Sequence, residues 1–230
     1  MPSHFHHRLE ELRRLLLGMS GLVETQLTRA AASLFEADQA KAHHVIALDA
    51  DVDALEMRVD EKCIQLLALY QPAAADLRFT AAAMKVVTEL ERIGDQAVNM
   101  ARGALGPRLP SRLLDSGITP MAELAQNMVA ESVRALAHAD AALARKVIAG
   151  DAAVDLLERE TVSRLLAQAA REPELLRSVF RLTYVARSLE RIGDHATNVA
   201  EMALYVADGR LERHVASRQY RRPRATRAPV

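Results

Sequence analysis

Apolar residues recur at intervals of three and four along most of the chain, in runs long enough for extended helices. Leu12, Leu16, Val23, Leu27 and Leu34 predict a first helix from about Phe5 to Phe35. Asp38 suits an N-cap, and a second helix follows to about Tyr70, closed by Pro72. A third runs from Asp76 to about Ala104 on the stripe Phe79, Ala83, Val87, Leu90 and Ala97. Gly106, Pro107, Pro110, Gly117 and Pro120 then mark a linker. Beyond it, helices are expected at Met121–Ala149, Asp151–Ala170 and Glu172–Val206, with Gly150 and Pro173 at the joints.

The second half repeats the first. Shifted by 99, the segment from Leu77-Arg78 to Glu91-Arg-Ile-Gly-Asp95 and Asn99 falls on Leu176-Arg177 to Glu190-Arg-Ile-Gly-Asp194 and Asn198. Shifted by 102, Val45-Ile46, Asp49, Val52-Asp53 and Leu55-Glu56 fall on Val147-Ile148, Asp151, Val154-Asp155 and Leu157-Glu158. The difference of three is taken up in the turns near Pro72 and Pro173. Two blocks in the same order identify a duplication. The expected fold is all-α: two tandem, pseudo-symmetric, antiparallel three-helix bundles with six long helices. Residues 5–105 form the first repeat, 106–119 the linker, 120–207 the second repeat and 208–230 a basic tail.

Composition narrows the picture. Half of the 230 residues are apolar but only 3% are aromatic and none is Trp, so the core is built from Ala, Leu, Val, Ile and Met, which suits closely packed helices. Net charge is zero, which removes any global electrostatic case for nucleic acid. The charge is uneven, however: seven Arg residues (210, 213, 218, 221, 222, 224 and 227) stand against Glu212 in the last twenty-one positions. That tail reads either as solvated and frayed, or as a contact for an acidic partner or anionic membrane surface. Cys63, the sole cysteine, rules out an internal disulfide and reads as a small core residue. There is no apolar run of membrane-spanning length and no signal-peptide pattern, so a cytoplasmic location is expected.

The candidate chemistry lies in carboxylates. Glu91 and Asp95, four apart, stack on one helix face, with Asn99 one turn on. Asp49, Asp53, Glu56 and Asp60 share a sector of the second helix beside Val52, Val59 and Cys63. The second repeat carries Asp151, Asp155 and Glu158, then Glu190, Asp194 and Asn198, with Val162 in place of Asp60. Facing acidic rows suggest a hard cation held by oxygen ligands, and Gly94 and Gly193 inside the motif would let a neighbouring helix approach. Spacing leaves a second reading open, in which Arg78, Arg92, Arg177 and Arg191 neutralise the acids and the glycines only ease packing. An all-oxygen set suits magnesium, manganese, calcium or ferric iron better than zinc. No Glu-x-x-His pair is present, and His195 reads as a half-exposed polar residue or an occasional ligand. No nucleophilic constellation or phosphate loop occurs, so no catalytic residue is assigned.

The phrases Leu90-Glu-Arg-Ile-Gly-Asp-Gln-Ala-Val-Asn and Leu189-Glu-Arg-Ile-Gly-Asp-His-Ala-Thr-Asn, with Asp49-x-x-x-Asp53-x-x-Glu56, its copy at 151–158 and Asp76-Leu-Arg78, resemble the PhoU family of bacterial phosphate-uptake regulators. The resemblance covers about residues 8–207. It implies two pseudo-symmetric three-helix bundles, often dimeric, carrying multinuclear metal sites of iron, manganese, magnesium or zinc. Carried over by position, the ligands would be Asp49, Asp53, Glu91 and Asp95, then Asp151, Asp155, Glu190 and Asp194. Glu56, Asn99, Glu158 and Asn198 would be additional candidates. The implied role is a negative regulator coupling the phosphate ABC transporter, through its ATPase PstB, to a PhoR-type sensor kinase, with membrane association only through those partners. Glu174-Leu175-Leu176-Arg177 departs from the second Asp-Leu-Arg, so the two sites need not bind metal equally. A carboxylate-bridged helical-bundle metalloenzyme and a purely structural repeat with solvated acids are the competing readings.

Overall fold

The computed structural model describes residues 2–209, with side chains from His4; the Arg-rich segment from 210 onward lies outside the described residues. The elements are α1 (Pro2–Glu36), α2 (Gln39–Tyr70), α3 (Ala74–Ala104), a single turn α4 (Ser111–Leu114), α5 (Ile118–His138), α6 (Ala141–Arg171) and α7 (Leu176–Asp208). No strand occurs among the described residues. The all-α architecture of two three-helix bundles, α1–α3 and α5–α7, is thereby established.

The width of each buried stripe sorts the helices by position. On α2 only one narrow row is buried (Ala42, Val45, Val52, Val59, Cys63 and Leu66), so this helix packs on one side. On α3 the buried positions spread to both flanks and include Ala82, Ala83, Gly94, Ala97 and Ala101. Small residues let a helix pack against several neighbours at once. The same holds for α7, and α3 and α7 pack against each other more extensively than any other pair. They join the two bundles into one continuous core.

Three boundaries differ from the expectation. The α5–α6 joint lies at Ala139-Asp140, not at Gly150, which sits inside α6. Asp140 Oδ1 accepts a hydrogen bond from the Leu143 amide at 2.9 Å, as Asp38 Oδ1 does from Ala40 and Lys41 at 2.9 and 3.1 Å. The residue before each cap, Ala37 or Ala139, is left-handed, with φ of 57° and 49°. Alanine in that conformation carries no turn signature, which is why the joint was misplaced. Helix α5 begins at Ile118 because Pro120 falls in the first turn, where no amide donor is needed. Helix α7 begins at Leu176, after a 3-10 turn spanning Pro173–Leu175.

The linker is not a free tether. Leu109, Leu113 and Leu114 are buried. Arg181 of α7 also reaches back across it, donating to Gly103 O at 3.1 and 2.7 Å and to Pro107 O at 2.7 Å.

Candidate metal centre

The site grows from the contact of an edge helix with a central helix in each repeat. Gly94 of α3 faces α2: a Cβ built there would lie 3.4 Å from Val52 Cγ1, 3.8 Å from Asp49 Oδ1 and 3.0 Å from Gln26 Oε1. Gly193 of α7 faces α6, with Val154 atoms at 3.4 to 3.5 Å. Each glycine therefore sits where the helix bearing the other acidic row passes, as the spacing suggested.

In the second repeat Asp155 of α6 and Glu190 and Asp194 of α7 converge, with one carboxylate oxygen of each within 4.8 Å of the others; all three are partly buried. A hard cation takes oxygen ligands at about 2.0–2.6 Å, so oxygens across one ion stand at most roughly 5 Å apart. The trio meets that requirement without rearrangement. Asp151, one turn before Asp155, is buried and accepts from Thr197 Oγ1 at 3.3 Å. Glu158 is partly buried one turn further along.

Among the described residues no first-repeat trio brings its carboxylate oxygens as close, and there the two acidic rows meet only electrostatically. Burial pushes the Glu91 carboxyl above its ordinary value, and Asp95, Glu56 and Asp53 push it further, against the pull of Arg92. Asp49 is raised by burial, opposed by a hydrogen bond from Gln26 Nε2 at 3.3 Å and reinforced by Asp95 and Asp53. Glu56 is raised by burial and by Asp60 and Asp53, against a bond from Thr88. Helices α2 and α3 thus bring Asp49, Asp53, Glu56, Glu91 and Asp95 into one field of like charge. A carboxylate set held this way is stabilised by a cation that the field itself attracts.

The two asparagines are engaged elsewhere. Asn99 donates to Gln96 Oε1 at 3.4 Å and its oxygen accepts from Arg102 at 3.2 Å. Asn198 donates to Glu89 Oε2 at 2.9 Å. His195 corrects its expected half-exposed setting. It is buried, 8% exposed, and its Nδ1 lies 2.7 Å from the same Glu89 oxygen. Burial alone would raise the Glu89 carboxyl, but the bonds from His195 and Asn198 outweigh it and hold the carboxyl below its usual range. This cross-repeat cluster was missed, although one signal was available: Glu89 and His195 face Ser188 and Gln96 when the repeats are aligned.

Comparison with known proteins identifies the family. The PhoU domain family matches residues 16–104 and 118–203. Over 223 residues the chain is 37% identical to a phosphate-specific transport system accessory protein PhoU homolog of Pseudomonas aeruginosa, covering 94% of this chain and 90% of that protein. It is 33% identical over 217 residues to the PhoU accessory protein of Escherichia coli, covering 94% and 90%. The crystal structure of PhoU from Pseudomonas aeruginosa superposes with a TM-score of 0.82 at 36% identity, over 90% of this chain and 100% of that one. The phosphate transport system regulatory protein PhoU from Streptococcus pneumoniae superposes with a TM-score of 0.83 at 25% identity, over 91% and 100%. By the match of the domain family to both repeats and the near full-length likeness to these relatives, the chain belongs to the PhoU family.

Proposed function

We propose that this protein is a regulatory adaptor of phosphate uptake, which restrains the phosphate ABC transporter when phosphate is plentiful. The observation that supports it most is the match along nearly the whole chain to proteins named as accessory to the phosphate-specific transport system. In this reading the adaptor acts by docking, through contacts with a PstB-like ATPase and a PhoR-like kinase, and performs no chemistry of its own. It works at the cytoplasmic face of the membrane, as a homodimer, reaching the membrane through those partners. No described helix is long and apolar enough to cross a membrane. A pull-down with the purified PstB-like and PhoR-like proteins tests the proposal: it expects binding to at least one, and failure to retain either would overturn it.

The carboxylate rows fit a metal-binding role. Asp155, Glu190 and Asp194, with Asp151 adjacent, would hold a cation in the second repeat; Asp49, Asp53, Glu91 and Asp95 would do so in the first. Bound metal would neutralise the clustered charge and tie α2 to α3 and α6 to α7, which makes its role structural. Ligand linkage gives about 2.7 kcal/mol of stabilisation at a hundredfold excess over the dissociation constant. Manganese or ferric iron added to metal-stripped protein is expected to raise the melting temperature, and less so in Asp155→Asn/Asp194→Asn. A melting temperature indifferent to metal would remove this part of the reading.

A further inference from the structure

Two clefts flank the α3–α7 seam, related by the duplication, and they have diverged in charge. One is lined by Lys85, Glu89, Arg92 and Glu201, two cations against two acids. Its counterpart, about 530 Å³, is lined by Arg102, Arg181, Arg187 and Arg191, with no carboxylate. At aligned positions Glu89 is replaced by Ser188, Glu201 by Arg102 and Thr88 by Arg187. Lys85 gives way to Tyr184.

The four guanidinium groups do different things. Arg181 is spent on the backbone oxygens of Gly103 and Pro107, which makes it a fixed charge at the cleft wall. Arg102 donates to Asn99 and is held at one side. Arg187 and Arg191 are exposed and make no hydrogen bond or ion pair with any other described residue. Like charges gathered in a lining that holds no carboxylate repel one another, and an Arg fork matches phosphoryl oxygens in pairs. Beside them Phe180 and Tyr184, 62% and 61% exposed, stack edge to face with centroids 5.0 Å apart. Two aromatic rings left in water at the lip of a basic cleft offer a surface for a flat ring. The volume falls in the range of small-molecule sites and far exceeds what a single orthophosphate fills.

We propose that this arginine cleft binds a nucleoside di- or triphosphate, with the phosphate chain on Arg102, Arg187 and Arg191 and the base against Phe180 and Tyr184. The inference is independent of the adaptor and metal readings, since none of these residues belongs to the carboxylate rows. Calorimetric titration of the full chain with ADP and ATP, in EDTA so that no metal bridges the ligand, tests it. Saturable binding is expected, with pyrophosphate weaker and orthophosphate weaker still. Arg187→Glu/Arg191→Glu should weaken ADP at least about tenfold, because charge-assisted bonds are lost and repulsion is introduced. Phe180→Ala/Tyr184→Ala should weaken ADP about five- to a hundredfold and leave pyrophosphate unchanged. Arg92→Glu, in the neutral cleft, should change neither, and circular dichroism verifies that each variant keeps its helices. The proposal is overturned if ADP and ATP show no saturation, if pyrophosphate binds as tightly as ADP, if the Arg double variant binds normally, or if a polyglutamate peptide binds more tightly than either nucleotide.

Discussion

Two glycines occupy the same place in the duplicated motif yet meet different surroundings. Beside Gly193 an added methyl would touch Val154 at 3.4 to 3.5 Å, which is ordinary contact. Beside Gly94 it would press on Gln26 Oε1 at 3.0 Å, and that amide is fully buried and tied to Val45 O at 3.2 Å and to Asp49. Alanine gains about 1 kcal/mol over glycine inside a helix. Gly193→Ala is therefore expected to be neutral or to stabilise by up to that amount. At Gly94 the displaced amide offsets the gain, and Gly94→Ala should be the less stable of the two by about 1–2 kcal/mol. Urea titrations of the two variants side by side check the order. This asymmetry could not be read from the sequence, where both glycines stand in Glu-Arg-Ile-Gly-Asp; it depends on Gln26, from a helix outside the motif. His195 and Glu89 teach the same lesson. Their partnership joins positions 106 apart, and local spacing carries no trace of it. The acidic rows were legible because each row lies within one helix, where a spacing of four fixes a shared face.

At the scale of elements, the crossing of α3 with α7 is the tightest constraint. Gly103 of α3 has Val185 Cγ2 at 2.7 Å from where a Cβ would stand, and Val185 is fully buried. A β-branched side chain held in a core has no free rotamer to retreat into. Gly103→Ala is expected to destabilise by about 1–3 kcal/mol, despite its better helix propensity, and to cost less when made in a Val185→Ala background. Thermal melts of both single variants and the double variant measure that coupling, and an equal cost in both backgrounds would mean that the contact is not the cause. Helix existence and order were legible from periodicity alone. The α5–α6 joint was mislocated at Gly150 because glycine is a stronger turn signal than alanine. Applying the 102-residue shift to Asp38 gives Asp140, so the repeat contained the correct boundary.

Across the whole molecule, the continuous core predicts shared stability. The sequence suggested two bundles in tandem, and periodicity cannot reveal that α3 and α7 are each buried on two sides by opposite repeats. Unfolding in urea is expected to follow one transition, coincident by far-UV circular dichroism and by fluorescence of the four tyrosines. Two resolved transitions would show that the repeats unfold separately. Residues 4–105 expressed alone would expose the α3 face that α7 covers, and should self-associate.

That last expectation points to what the seam makes possible. A self-associated single repeat would bury α3 against a copy of itself, about a twofold axis where α3 and α7 now cross. In such a pair every substitution appears on both sides, so both flanking clefts must carry the same charge. Joining the copies into one polypeptide, with Leu109, Leu113 and Leu114 sunk into the core, removes that obligation. One flank could lock its carboxylate to His195 and Asn198 while the other accumulated arginine, and neither change had to be tolerated twice.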